Sequence, residues 1–124
     1  MDLQGLKMLV VEDSAVVALS LEMALEEAGC LIVGTAADVE PALRLLEEAE
    51  IDVVVLDLKL AGSSALPIAD VLVARDLPFV FTTGHERDTL PERFRAHLMC
   101  LKPFTSNELL RSLQEAIGSR LSRT

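Results

Sequence analysis

The chain has 124 residues, 51% of them hydrophobic and 25% charged, and carries a formal net charge of −9. That size suits one domain with a real core, the balance excludes a disordered chain, and the acidity argues against direct nucleic-acid binding through the phosphate backbone. No apolar run reaches the roughly 18 residues of a membrane span, so no membrane insertion is expected, and Met1-Asp2-Leu3-Gln4-Gly5 lacks the basic start of a secretory signal. The two cysteines, Cys30 and Cys100, lie inside apolar runs and read as small core hydrophobes of a reducing compartment. A cytoplasmic, acidic domain is the expectation.

Leu6-Lys7-Met8-Leu9-Val10-Val11 has the pattern of a buried strand and ends at Glu12-Asp13. Val17, Leu21, Ala24, Leu25 and Ala28 then fall on one face of a 3.6-residue period, which predicts a helix closed by a left-handed Gly29. Cys30 to Gly34 reads as a second strand. Asp38 caps a second helix that turns Val39, Ala42, Leu43 and Leu46 inward, with Pro41 tolerated in its first turn. Ile51-Asp52-Val53-Val54-Val55-Leu56-Asp57-Leu58 is rich in β-branched residues and predicts a central strand buried on both faces.

A loop from Lys59 to Ser64 leads into a third helix with Ile68, Ala69, Leu72 and Val73 inward. Pro78 to Gly84 predicts a fourth strand that runs into a glycine turn. The stretch from His85 to Ala96 is polar and interrupted by Pro91, so any helix there begins after that proline. Leu98 to Leu101 is a short fifth strand stopped by Lys102-Pro103. Thr105-Ser106-Asn107-Glu108 is a capping box whose helix buries Leu109, Leu113, Ala116, Ile117 and Leu121, and the tail from Ser119 to Thr124 is expected to fray. Five strands alternating with about five helices imply an α/β fold with a parallel sheet covered on both faces.

In such sheets, ligands bind at the carboxyl ends of the strands. Strand 1 delivers Glu12 and Asp13 there, strand 3 Asp57, strand 4 Thr83 and strand 5 Lys102. Three converging carboxylates repel one another, and Mg²⁺ relieves this by taking one or two of them while keeping water sites for a phosphoryl oxygen. A lysine and a threonine hydroxyl can hold further phosphoryl oxygens. The set is suited to an aspartate that accepts a phosphoryl group. On position alone, Asp57 could equally cap a following turn.

Val10-Val11-Glu12-Asp13, Val54-Val55-Leu56-Asp57, Phe81-Thr82-Thr83-Gly84 and Leu101-Lys102-Pro103-Phe104 stand in the order of the receiver domain of two-component response regulators, which the chain resembles over essentially its whole length. The resemblance implies a flavodoxin-like (βα)5 sheet of order 2-1-3-4-5, a type for which a receiver is a standard example. It also implies one receiver domain over 1–124, with a core from about 6 to 121 and no output domain. Asp57 is then the phosphoacceptor, and Glu12, Asp13, Asp57 and the Lys59 carbonyl hold Mg²⁺. Thr83, Gly84 and Lys102 form the phosphoryl-contacting switch set. Lys59 and His85, each two residues past a key position, tune dephosphorylation.

The implied partners are a sensor histidine kinase or phosphotransfer protein and an unknown downstream protein, met through the strand 4/helix 4/strand 5 region by a monomer or weak dimer. No enzymatic activity is implied beyond self-phosphorylation and autodephosphorylation. Two residues depart from the family pattern: Ala61 stands where receivers usually carry proline, and Met99 where they carry a switching Tyr or Phe. Pro78 to Gly84 is similar to a stand-alone subgroup with a Phe-Ala-Thr-Gly signature, with Thr82 in place of the alanine. With the aromatic missing, the switch is expected in residues 84–96, mobile until Thr83 is drawn to the phosphoryl group.

Rival readings fit less well. A phosphoaspartyl hydrolase would need a second aspartate where Lys59 stands, and a flavin binder would need a Ser/Thr/Gly loop where Glu12-Asp13 stands. Neither Gly-x-Gly-x-x-Gly nor a phosphate-binding Gly-Lys-Ser/Thr loop occurs. His85 and His97 have no metal-ligand spacing and read as surface or packing residues. The alternatives that remain are a phosphorylation-independent adaptor of receiver fold and a phosphate sink.

Overall fold

The computed structural model describes residues 3–60, 62–84, 90–94, 97 and 99–122, the last four by their backbone. Five strands form one parallel sheet: β1 (Lys7–Val11), β2 (Leu31–Ala36), β3 (Val53–Asp57), β4 (Phe79–Thr83) and β5 (Met99–Leu101). Their spatial order is β2-β1-β3-β4-β5. A separate hairpin of Lys59–Leu60 against Ser63–Ser64 lies in the chain between β3 and the next helix, so a count of all seven strands gives the main sheet as 2-1-3-6-7. The irregular loop expected there is thus a small antiparallel pair. Leu60 is buried to anchor one strand, and Gly62 makes the turn at φ +74°.

Alternation along the strands sorts the core into two layers. Leu9, Val11, Val54, Leu56, Phe79 and Phe81 face helices α2 (Val39–Glu48) and α3 (Leu66–Ala74). Met8, Val10, Val53, Val55, Val80 and Cys100 face helices α1 (Ala15–Glu27) and α4 (Ser106–Ser122). Every residue of β3 is buried, as a central parallel strand requires. β2 lies at the sheet edge, and among its residues only Ala36 is fully buried.

The helix signals read from the sequence are present. Ser14 Oγ accepts from the Val17 N–H, Asp38 Oδ1 accepts from the Val39 N–H, and Gly29 takes φ +93° after α1. Thr105 and Glu108 form the reciprocal capping box, at 2.9 and 3.1 Å. α4 continues to Ser122, beyond the point where fraying is expected. Both cysteines are buried, and neither is in a disulfide.

Three inward assignments change. α1 also buries Ala18. Val73 is 49% exposed, and Val71 packs on the core in its place. The described residues contain four α-helices, and the stretch after Pro91 forms a single 3₁₀ turn, Glu92–Phe94.

That turn is not apolar-poor, because Leu90 and Phe94 are both buried. Phe94 meets Phe81 edge to face at 5.7 Å, and His97 stacks on Phe79 at 4.9 Å. His97 is a packing residue, and two aromatic anchors tie this segment to β4. Ala61 and residues 85–89, 95–96 and 98 lie outside the described residues, so the expectations placed on Ala61, on His85 and on most of 84–96 fall there. No described helix is long and apolar enough to cross a membrane.

Candidate functional site

β1 and β3 are adjacent and in register, with Val11 opposite Leu56, so Glu12 stands beside Asp57 one step further on. Both carboxylates are buried, at 3% and 4% exposure, while Asp13 is exposed. Each of the three brings one oxygen within 4.8 Å of the others. Lys102, just past β5, reaches over the sheet end. Its Nζ lies 2.9 Å from Glu12 Oε1 and 3.3 Å from Asp57 Oδ2. The Ser14 N–H donates to Glu12 Oε2 at 3.0 Å, and the Lys59 N–H to Asp57 Oδ1 at 3.3 Å.

Glu12 and Asp57 respond differently to this setting. Burial raises the Glu12 carboxyl, but the Lys102 ammonium and the Ser14 N–H outweigh it and hold Glu12 below the usual carboxylate range. Asp57 is pushed up to about 6, first by burial and then by the neighbouring Glu12 charge, with Lys102 only partly opposing. Lys102 is itself raised, because its two carboxylate partners overcome its desolvation. The lysine therefore belongs mainly to Glu12, and Asp57 holds the weaker share.

The remaining sequence-selected residues are placed as follows. Thr83 is buried at the end of β4, where alternation sets it on the α2/α3 face, and its carbonyl accepts the Lys102 N–H at 2.7 Å. Gly84 is exposed, and a Cβ there would meet nothing within 4 Å, so the space past Thr83 is open. Met99 is half-buried against the α2/α3 layer. Lys59 is exposed and meets Asp57 through its backbone N–H. Sequence reasoning missed Ser14 as a partner of Glu12. The signal was available, since Ser after Asp13 at the head of an apolar-periodic run marks an N-cap.

A flavodoxin-like sheet that gathers an acidic pair, a buried aspartate and a lysine at its carboxyl edge defines the receiver class of signalling domains. The chain belongs to the response regulator receiver domain family, whose model residues 8–114 match. It is 30% identical over 116 residues to the transcriptional regulatory protein PdtaR of Mycobacterium tuberculosis, covering 90% of this chain but only 57% of that protein. Among solved structures it is similar to SdrG from Sphingomonas melonis Fr1, at 37% identity and TM-score 0.78 over 98% of this chain and 99% of that one. It also matches the BeF3-activated conformation of SdrG from Pseudomonas melonis Fr1, at 38% identity and TM-score 0.74 over 90% and 95% of the two chains.

Receiver domains bind Mg²⁺ at an acidic pocket, and the oxygens of Glu12, Asp13 and Asp57 fit such an ion. Mg²⁺ favours oxygen ligands, and two on opposite sides of it stand about 4.2 Å apart, so oxygens that all lie within 4.8 Å of one another are near enough to share one ion. A bound cation would also offset the repulsion that raises Asp57. Mg²⁺ at ten times its Kd is therefore expected to add about 1.4 kcal/mol to the unfolding free energy. Asp13→Ala should remove most of that gain. A melting temperature indifferent to Mg²⁺ counts against a metal site.

Proposed function

We propose that this response regulator accepts a phosphoryl group on Asp57 from a sensor histidine kinase or phosphotransfer protein and signals through altered protein contact. The observation that carries the reading is the position of Asp57. It is the buried carboxylate at the end of the central strand, and the lysine facing it is shared with Glu12. With Mg²⁺ held by Glu12, Asp13, Asp57 and the Lys59 carbonyl, the ion supplies charge neutralisation for the incoming phosphoryl oxygens.

An Asp57 carboxylate oxygen attacks phosphorus. The new P–O bond forms as the bond to the donor's nitrogen or oxygen breaks, and that electron pair leaves with the donor. Lys102 turns its ammonium from Asp57 to a phosphoryl oxygen, and the Thr83 hydroxyl donates to another across the strand end. Gly84 leaves this edge open, so Lys59 and His85 are the residues that would tune water's access and the lifetime of the phosphoryl group.

Two exposed apolar surfaces supply the contacts. Val16, Leu19 and Met23 form a stripe along α1, at 79%, 58% and 59% exposure, and α1 begins directly after the acidic pair. A protein delivering a phosphoryl group to Asp57 passes over this stripe. On β5, Leu101 is 54% exposed beside Thr83, within the face of β4, β5 and the 3₁₀ turn between them that is proposed for the downstream partner. The chain so read works in the cytoplasm as a single receiver unit, a monomer or weak dimer, and acts as an enzyme on nothing but itself. Met99 favours one second reading, a receiver that drains phosphoryl groups or binds partners irrespective of phosphorylation.

Acetyl phosphate with Mg²⁺ tests the central claim. Intact mass should rise by about 80 Da, one phosphoryl addition, in the wild type and not in Asp57→Ala. Equal labelling of that variant would remove Asp57 from its role.

A further inference from the structure

Among the described residues, the Thr82 hydroxyl is the one buried side-chain polar atom without a hydrogen-bond partner. The residue is fully buried in β4. Burying an unsatisfied hydroxyl is unfavourable, and native structures rarely tolerate it without a use. The strand itself does not require a hydroxyl, since valine has the same branched shape and suits a buried strand as well.

The register shows which groups Thr82 stands between. It is directly opposite Asp57 on β3 and Cys100 on β5. Alternation puts all three on the α1/α4 face, with Val55, Val80 and Cys100 in that core layer, whereas Thr83 falls on the other face. Cys100 already has partners in Ser112 Oγ at 3.2 Å and the Glu108 carbonyl at 3.9 Å. Asp57 is the under-supplied neighbour. Its donors among the described residues, Lys102 Nζ and the Lys59 N–H, both stand at 3.3 Å, longer than the 2.7–2.9 Å usual for a charge-assisted bond. Neighbouring strands run about 4.8 Å apart, a gap that a threonine hydroxyl and a carboxyl oxygen can close.

We infer that Thr82 is a positioning residue whose hydroxyl donates to the Asp57 carboxyl oxygen when a phosphoryl group draws Lys102 away. This rests on Asp57 being the phosphoacceptor. Phosphorylation joins one Asp57 oxygen to phosphorus as an acyl phosphate and leaves the other as a carbonyl oxygen, and in the proposed mechanism Lys102 then leaves Asp57 for the phosphoryl group. Of the flanking strands, β4 is the one that places a spare donor on Asp57's own face. The hydroxyl is unpartnered in the unloaded protein and bonded in the loaded one, so Thr82 favours the loaded state.

The test compares wild type, Thr82→Val, Thr82→Ser and Thr82→Ala by two measurements. The first is the melting temperature in chelator, where Thr82→Val should match or exceed wild type because it removes only an orphaned hydroxyl. The second is the affinity for beryllium fluoride in Mg²⁺, followed by NMR shifts. Here Thr82→Val and Thr82→Ala should bind about tenfold more weakly, the equivalent of one neutral hydrogen bond, and Thr82→Ser should stay within about threefold of wild type.

Wild-type affinity in Thr82→Val overturns the inference. So does equal weakening in Thr82→Ser, which would trace the effect to shape. A fall in the metal-free melting temperature of Thr82→Val overturns it too, since the hydroxyl would then be bonded before loading. Should Thr82→Val fail to fold, the Ser and Ala pair decides the question by the same criterion. No response in the wild type removes the phosphoacceptor reading itself, and this inference with it.

Discussion

Lys102→Ala is expected to destabilise the metal-free protein by about 2–3 kcal/mol at pH 7.5, and to lose most of that effect at pH 4. The lysine is the one cation that the described structure places on two carboxylates, Glu12 and Asp57, whose side chains are 1% and 6% exposed. Removing one member of a buried pair leaves an uncompensated charge, at about 3–5 kcal/mol. The lower end applies here because the lysine side chain is itself 29% exposed and partly screened by solvent.

The pH dependence follows from Glu12. Its folded-state pKa is lowered, mainly by Lys102 acting against burial. It therefore contributes stability above its unfolded value of 4.5 and loses that contribution as the pH falls through the folded value. In Lys102→Ala that contribution is missing at neutral pH, whereas at pH 4 the protonated carboxyls need no cation. Urea denaturation at the two pH values measures the difference. Equal stability of variant and wild type at pH 7.5 would mean that the ion pair carries no net weight.

The grouping of the candidate residues at one sheet edge was legible in the sequence because each of them ends a strand whose pattern is unmistakable. Met8 to Val11 and Val53 to Leu56 are apolar on both faces, so their first charged successors, Glu12 and Asp57, had to emerge at the same sheet edge. Lys102 was legible for the same reason, standing between a short apolar run and a proline. The capping residues Asp38 and Thr105 announced their helices through local hydrogen bonds that need no tertiary context.

What the sequence did not disclose depends on pairing across the sheet. Thr82 and Thr83 are chemically the same, and only the opposition of Thr82 to Asp57 shows which of them shares its face. The division of Lys102 between two carboxylates likewise depends on distances that spacing cannot supply. Leu90 and Phe94 sit in a polar stretch without helical period, so their burial beside Phe81 is a tertiary contact with no local signature.

Asp57→Asn should make the metal-free protein more stable, by about 2–3 kcal/mol at pH 7.5. Burial and the Glu12 charge raise Asp57 from 3.8 to about 6 in the fold, and a rise of that size corresponds to about 3 kcal/mol. The folded state then binds its proton more tightly than the unfolded chain does, so between pH 3.8 and about 6 stability falls as the pH rises. The ionised carboxylate imposes its full cost above about pH 6 and none below 3.8. Asparagine keeps the shape and can still accept from the Lys59 N–H, but carries no charge to bury. Glu12 slopes the opposite way, yet only below its unfolded value of 4.5, which leaves the window from there to about pH 6 to Asp57. The gain should therefore grow across that window, level off above it and vanish near pH 4 in chelator. Saturating Mg²⁺ should shrink it, since a cation held by the acidic cluster removes the same repulsion. Chemical denaturation of both proteins from pH 4 to 8, with and without Mg²⁺, tests this. A variant no more stable than wild type at pH 7.5 would mean that Asp57 is not held under electrostatic strain, and its proposed role as the reactive carboxylate would need another support.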